Sequence, residues 1–98
     1  MLKIEFHPEA EVEFEAAYRW YTKRSRSAAD RFLEGVEIAT KQVCQLPEQW
    51  PTYLHGTRYF RVTRYPYAVV YLRLPDRIFA VAVAHLKRRP GYWKNRLD

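Results

Sequence analysis

The spacing of apolar residues changes along the chain, and each change predicts an element. Leu2, Ile4 and Phe6 alternate with Lys3 and Glu5, the period of a strand with one face buried. His7-Pro8 ends that strand, because proline brings no amide to a ladder and suits the first turn of a helix; His7 then opens the helix. From Glu9 to about Arg24 the period becomes helical, with Ala10, Phe14, Ala17, Tyr18 and Tyr21 in one stripe. Glu9, Glu11 and Glu13 in the first turns, and Lys23 and Arg24 in the last, complement the helix dipole. Val12, Ala16 and Trp20 form a second stripe on the opposite side. It reads in two ways, as tolerated surface apolar residues or as a docking strip for a partner chain.

Ser25-Arg26-Ser27 makes the next break, and Ser27 with Asp30 three residues on is the expected helix cap. A second helix follows to about Leu46 on the stripe Ala29, Phe32, Val36, Ala39, Val43 and Leu46. So short a link predicts an antiparallel hairpin. Pro47 and Pro51 stop the helix and open a loop through Gly56, with Trp50 expected to cap the core. Arg58 to Arg64 alternates again: Phe60 and Val62 point toward the helices, and Tyr59, Arg61 and Thr63 point to a second face that reads as open, aromatic and basic. Tyr65-Pro66 turns into a strand at Tyr67 to Leu74, and Pro75-Asp76 links it to Arg77 to His85. The run IFAVAVA predicts a central strand covered on both faces.

The expected fold is therefore α+β: an N-terminal strand, a two-helix antiparallel hairpin, a three-strand antiparallel meander and a short C-terminal basic and aromatic segment. At 98 residues this is expected to be one domain, residues 1–98.

Charge divides the chain unequally. Residues 1–57 carry seven Lys and Arg against nine Asp and Glu, a sum of −2, whereas residues 58–98 carry ten against two, a sum of +8. The sheet and the C-terminus thus hold the positive field, which suits a polyanion or an acidic protein segment. With 48% hydrophobic residues the chain is not a disordered polybasic tail. A single cysteine, Cys44, excludes an intramolecular disulfide and makes no zinc site alone, so it reads as a small apolar residue on a helix. Lys3, Glu5 and His7 interrupt any signal-peptide core, and the longest apolar run, Ile78 to Ala84, is too short to span a bilayer, which takes about 20 helical residues. A soluble, cytoplasmic protein without membrane partners is expected. No P-loop, zinc spacing, Ser/His/Asp set or glycine-rich cradle is present, and no metal or cofactor is expected.

After the last strand comes His85-Leu86-Lys87-Arg88-Arg89-Pro90-Gly91-Tyr92-Trp93-Lys94-Asn95-Arg96. With PYAVVY in the preceding strand and the order of elements, this resembles the RelE/ParE superfamily of bacterial type II toxins over nearly the whole chain. Two activities divide that superfamily. The RelE-like branch cleaves messenger RNA in the ribosome without a metal. That chemistry needs a group to take the 2′-hydroxyl proton, cations to hold charge on phosphate oxygens and an acid for the leaving oxygen. The resemblance places Arg61 and Tyr92 in such roles, with Arg88 close enough to stand in for an arginine if the loop bends and His85 as the candidate base. The match is thinned, because Tyr59 stands where a second basic residue is expected, and Ala68 and Leu86 stand where the nucleases carry arginines.

The ParE-like branch poisons DNA gyrase by binding, needs no such arginines, and is the better match to the GYW ending followed by Arg96. The candidate target or nucleic-acid contacts are Tyr59, Arg61, Arg64, Lys87, Arg88, Arg89, Trp93 and Arg96. Clustered cations interleaved with rings also suit single-stranded nucleic acid, so a non-toxic nucleic-acid-binding module, or a decayed toxin, is a further reading. The bland alternatives are a half-exposed, hydrogen-bonded His85, core-capping Tyr92 and Trp93, and a solvated basic cap. The resemblance implies a cognate antitoxin, held on Val12, Ala16 and Trp20 in a toxin–antitoxin hetero-oligomer, and gyrase or ribosome-bound mRNA as target.

Overall fold

The computed structural model describes residues 1–97. A short strand β1 (Ile4–Phe6) leads into helix α1 (Pro8–Arg24) and helix α2 (Arg26–Gln45), then strands β2 (Arg58–Arg61), β3 (Tyr67–Arg73) and β4 (Ile78–His85). Single 3₁₀ turns lie at Leu54–Gly56 and Lys94–Leu97. The sheet order is β1-β4-β3-β2: the meander is antiparallel, and β1 adds to it parallel to β4. The α+β architecture expected from the sequence is the one observed.

Helix α1 starts where Pro8 occupies its first turn and His7 Nδ1 accepts the Glu9 amide at 3.0 Å. A single extended residue, Ser25, ends α1 and opens α2, its amide donating to Tyr21 and its hydroxyl accepting from the Ala28 amide at 3.2 Å. The expected cap at Ser27 is thus displaced by two residues. Ser27 already has helical neighbours on both sides, and the preceding serine supplies the non-helical backbone a cap needs. One linking residue leaves no choice but an antiparallel hairpin.

The stripe of α2 is buried at Ala29, Phe32, Val36, Ala39 and Val43; Leu46 lies just past the helix and is exposed. Phe32 is the centre of this layer, its ring within 5.2–5.8 Å of Phe14, Tyr21, Tyr65 and Tyr67. Gly35 lets α2 approach the sheet, since a Cβ there would stand 3.0 Å from Val62 Cγ1. Trp50 packs edge-on against Phe60 and donates its ring N–H to the Gln42 carbonyl at 3.1 Å, closing the end of the hairpin. Buried Tyr71 is tied to Pro47 through a 2.6 Å hydrogen bond from its hydroxyl. Burial pushes that hydroxyl up to about 12, Arg58 opposing only in part.

One strand boundary and one register differ from the sequence reading. β2 stops at Arg61 because Val62 already turns the chain, accepting from the Tyr65 amide, and Arg64 takes a left-handed φ of 70°. Within β4 the pairing jumps from Ala80 opposite Tyr71 to Ala82 opposite Val70, leaving Val81 as a bulge. Ile78 and Ala80 therefore face the helices, and so do Val83 and His85, one register later. Phe79, Val81, Ala82 and Ala84 face the other side. This is why the IFAVAVA run is apolar throughout.

The second sheet face is not open, as the alternation of β2 suggested. Residues 86–97 fold back across it, and Tyr92, Trp93 and Leu97 pack on Val70, Val81, Ala82 and Ala84. Trp93 is only 1% exposed. The meander alone cannot bury Val70 and Val81, and the aromatic residues that follow it do so.

Candidate functional site

The C-terminal segment is held by one carboxylate. Glu13 sits on the same ridge of α1 as buried Ala10 and Ala17, and its side chain is 13% exposed. Its Oε1 accepts from the Val83 amide at 3.1 Å and from Arg96 at 2.9 Å. Its Oε2 accepts from the Tyr92 hydroxyl at 2.5 Å, from Arg96 at 3.1 Å and from Arg88 at 3.2 Å. Arg96 also donates to the carbonyl of the bulged Val81 at 3.1 Å. β1 leaves β4 at Ala80, so Val81 and Val83 would otherwise present unpaired backbone groups on that side; Arg96 and Glu13 satisfy them.

Burial, reinforced by the Glu13 hydrogen bond and charge, raises the Tyr92 hydroxyl well above its ordinary range. For Arg96, burial works against the charged form, and Glu13 more than offsets it. Arg88 lies over the Tyr92 ring with its guanidinium carbon 3.6 Å from the centroid.

Two clefts flank this network. The first, of about 270 Å³, is floored by Ala68, Val70 and Ala84 and walled by Tyr53, Tyr59, Arg61, His85, Leu86, Arg88, Arg89, Tyr92 and Trp93. It brings together seven of the candidate residues: Tyr59, Arg61, His85, Arg88, Arg89, Tyr92 and Trp93. Arg64 in the β2–β3 turn and Lys87 do not line it, and Arg96 is turned inward to Glu13. Arg61 and Arg89 are exposed and in no ion pair among the described residues. Trp93 serves the cleft as a buried wall.

Three of the four nuclease candidates, His85, Arg88 and Tyr92, are already engaged, and Arg61 alone is free among the described residues. His85 Nδ1 accepts the Lys87 amide at 3.0 Å, so the neutral ring carries its proton on Nε2 and offers a donor there rather than a free lone pair. Tyr92 and Arg88 are committed to Glu13, and the cleft floor at Ala68 is uncharged.

The second cleft, of about 440 Å³, runs between α1 and the end of β4, lined by Glu13, Ala16, Trp20, Tyr21, Tyr67 and His85 among others. Two of the three strip residues line it. Val12, the third, is 53% exposed further along α1, and Trp20 is 50% exposed with Arg24 over its ring at 3.4 Å. Glu13 is the residue the sequence reading missed. The signal was its place on the Ala10–Ala17 ridge, where a carboxylate facing the core calls for a cation from the basic half of the chain.

Among the described residues no group of three or more His, Cys, Asp and Glu side chains converges as a metal site, and no helix is long and apolar enough to cross a membrane.

A parallel edge strand, a helical hairpin over one sheet face and a basic, aromatic segment locked over the other define a small α+β domain. Residues 4–90 match the family described as ParE toxin of type II toxin–antitoxin system, parDE, and the chain belongs to that family. Its fold is similar to a chain of the chromosomal ParDE TA system from P. aeruginosa, with a TM-score of 0.69 and 18% sequence identity over 89% of this chain and 98% of that one. No curated protein matches the chain.

Proposed function

We propose that this ParE-family toxin arrests growth by binding DNA gyrase through the Tyr59–Arg61–Arg89 cleft, without cleaving RNA. The observation that carries this reading is the commitment of Tyr92 and Arg88 to Glu13 beside an uncharged floor at Ala68. A phosphoryl-transfer site needs free proton-transfer groups and converging cations. This cleft instead offers rings, an apolar floor, exposed Leu86 and two unpaired arginines, the composition of a protein-binding hot spot. The antitoxin is assigned to the α1 strip, an apolar segment covering Trp20 and filling the α1–β4 cleft in a cytoplasmic hetero-oligomer.

Inducible expression in a bacterial host, with pulse labelling of DNA and protein synthesis and primer extension on a reporter message, tests the target. DNA synthesis is expected to stop first, with cleaved gyrase–DNA complexes and intact messages; transcripts cut within codons would return the nuclease reading. For the antitoxin surface, Trp20→Glu is expected to weaken antitoxin binding, and an unchanged affinity would reduce the strip to surface noise.

A further inference from the structure

The outer edge of β1 is an unprotected strand edge. The Ile78 amide donates to the Lys3 carbonyl and the His7 amide to the Ala80 carbonyl, so the backbone groups of Lys3, Glu5 and His7 turn toward β4. By the alternation of a strand, those of Leu2, Ile4 and Phe6 turn outward, and none of them has a partner among the described residues. No proline, bulge or inward charge blunts this edge. Its apolar side chains remain half-buried, bordered by one cleft of about 540 Å³ beside Thr40 and Lys41 and another of about 280 Å³ beside Phe14 and Val36.

The sequence of this edge, Leu2-Lys3-Ile4-Glu5-Phe6, is complementary to itself when run antiparallel. With a two-fold axis at Ile4, Leu2 stands opposite Phe6 of a second copy and Ile4 opposite Ile4, on the face toward the helices. On the other face Lys3 stands opposite Glu5, twice. Apolar meets apolar and cation meets anion at every position, and the outward amides and carbonyls of each copy find partners on the other.

Charges further out agree with this register. Glu11 shares a cleft with Glu5, opposite which Lys3 of the second copy would arrive, and Lys41 lies at the other end beside Leu2 and Ile4. Lys3 has no acidic partner within its own chain among the described residues, whereas Glu5 already accepts from Arg77 at 3.3 Å and would be shared.

We infer that β1 is a homodimerisation edge, joining two copies antiparallel about Ile4 into one continuous sheet and leaving the cleft at Tyr59 and Arg61 and the α1 strip free. A parallel or out-of-register pairing would set Lys3 against Lys3 or move the apolar side chains to the wrong face, and is disfavoured.

The test is sedimentation of the isolated full chain and two variants. The wild type is expected to reach twice its 11.8 kDa mass in a concentration-dependent manner. Lys3→Glu sets carboxylate against carboxylate and Glu5→Lys sets ammonium against ammonium. Each alone is expected to weaken the dimer about tenfold or more. An equimolar mixture of the two restores both opposite-charge pairs and is expected to return to the two-chain mass. Thermal unfolding of each variant separates lost pairing from lost folding: the Lys3 side chain is in no ion pair among the described residues, whereas Glu5→Lys also gives up the exposed bond to Arg77. A wild type that stays at single-chain mass up to about 1 mM, variants that dimerise like the wild type, or a mixture that fails to recover would each overturn the inference.

Discussion

The helical hairpin and residues 86–97 cover opposite faces of one sheet by different means. The hairpin side is a continuous apolar interface, in which Phe32, Val36, Val62 and Val69 are at or near zero exposure and five aromatic rings surround or touch one another. The other side has Trp93 as its one large buried ring, and is otherwise held by a carboxylate with cations and a phenol converging on it. An interface of the first kind weakens gradually as atoms are removed, because many contacts share the load. One of the second kind depends on a single residue, because losing Glu13 leaves Arg96 charged, largely buried and unpaired.

The largest expected effect falls on the hairpin side. Phe32→Ala removes a fully buried ring touching four others and should cost about 3–5 kcal/mol. The comparison predicts that this loss is global: in a chain that keeps Trp93 as its one tryptophan (Trp20→Phe, Trp50→Phe), urea unfolding followed by near-UV circular dichroism and by Trp93 fluorescence should shift together. Separate transitions would show that the two faces are not one cooperative unit.

Glu13→Gln comes next. It keeps the shape of the side chain and can still receive the Val83 amide, but it loses the charge that balances Arg96. A cost of about 2–3 kcal/mol is expected, as for hydrogen bonds to charged groups. Here the effect should be local first. Trypsin should reach Lys87, Arg88 and Lys94 well before the helices open, and amide exchange should speed up in residues 86–97 while α2 stays protected. Equal protection of both regions would mean that Trp93 alone suffices to hold the segment.

The contrast also explains what the sequence could reveal. Stripe periodicity in α2 and alternation in β2 to β4 are repeated signals, so several residues vote for each element, and the elements came out in the right places. Glu13 is a single residue that carries the second interface. In a list of first-turn acids beside Glu9 and Glu11 it reads as a dipole partner, and only its position between Ala10 and Ala17 betrays a buried role. The parallel pairing of β1 and the bulge at Val81 were hidden for a related reason, since both are decided by which strand edge is left over once the meander has formed. Among the site residues, the basic and aromatic composition of the cleft was legible. Which of its members are free was not, because that depends on partners about 70 to 80 residues away in sequence.

A pH series tests one buried hydroxyl of the hairpin side. On the hairpin side Tyr71 titrates at about 12 in the folded chain against an ordinary 10.0. Between those values the unfolded chain has released the proton and the folded chain still holds it, so stability is full below pH 10 and falls as pH rises toward 12. The two-unit difference corresponds to at most about 2–3 kcal/mol. Tyr71→Phe should cost about 1 kcal/mol at neutral pH, through the lost bond to Pro47, and should flatten the alkaline decline. A decline of undiminished slope in that variant would assign it to another group, with Tyr92 the first to examine, since its hydroxyl is raised too.

The smallest expected effect tests how far the Glu13 network is shared. Tyr92→Phe deletes one of the five bonds to the carboxylate and leaves Arg96, Arg88 and the Val83 amide in place. The phenyl ring still packs on the sheet and still lies under the Arg88 guanidinium. A loss of about 1–1.5 kcal/mol is expected, with tryptic cleavage at Lys87 and Arg88 rising less than in Glu13→Gln. The same variant bears on the cleft. If Tyr92 is a strut, Phe should leave growth arrest on expression unchanged whenever the folded population is unchanged. An abrupt loss of toxicity in a stably folded Tyr92→Phe chain would instead give the hydroxyl a direct role at the target, and would break the separation between the residue that holds the segment and the residues that use it.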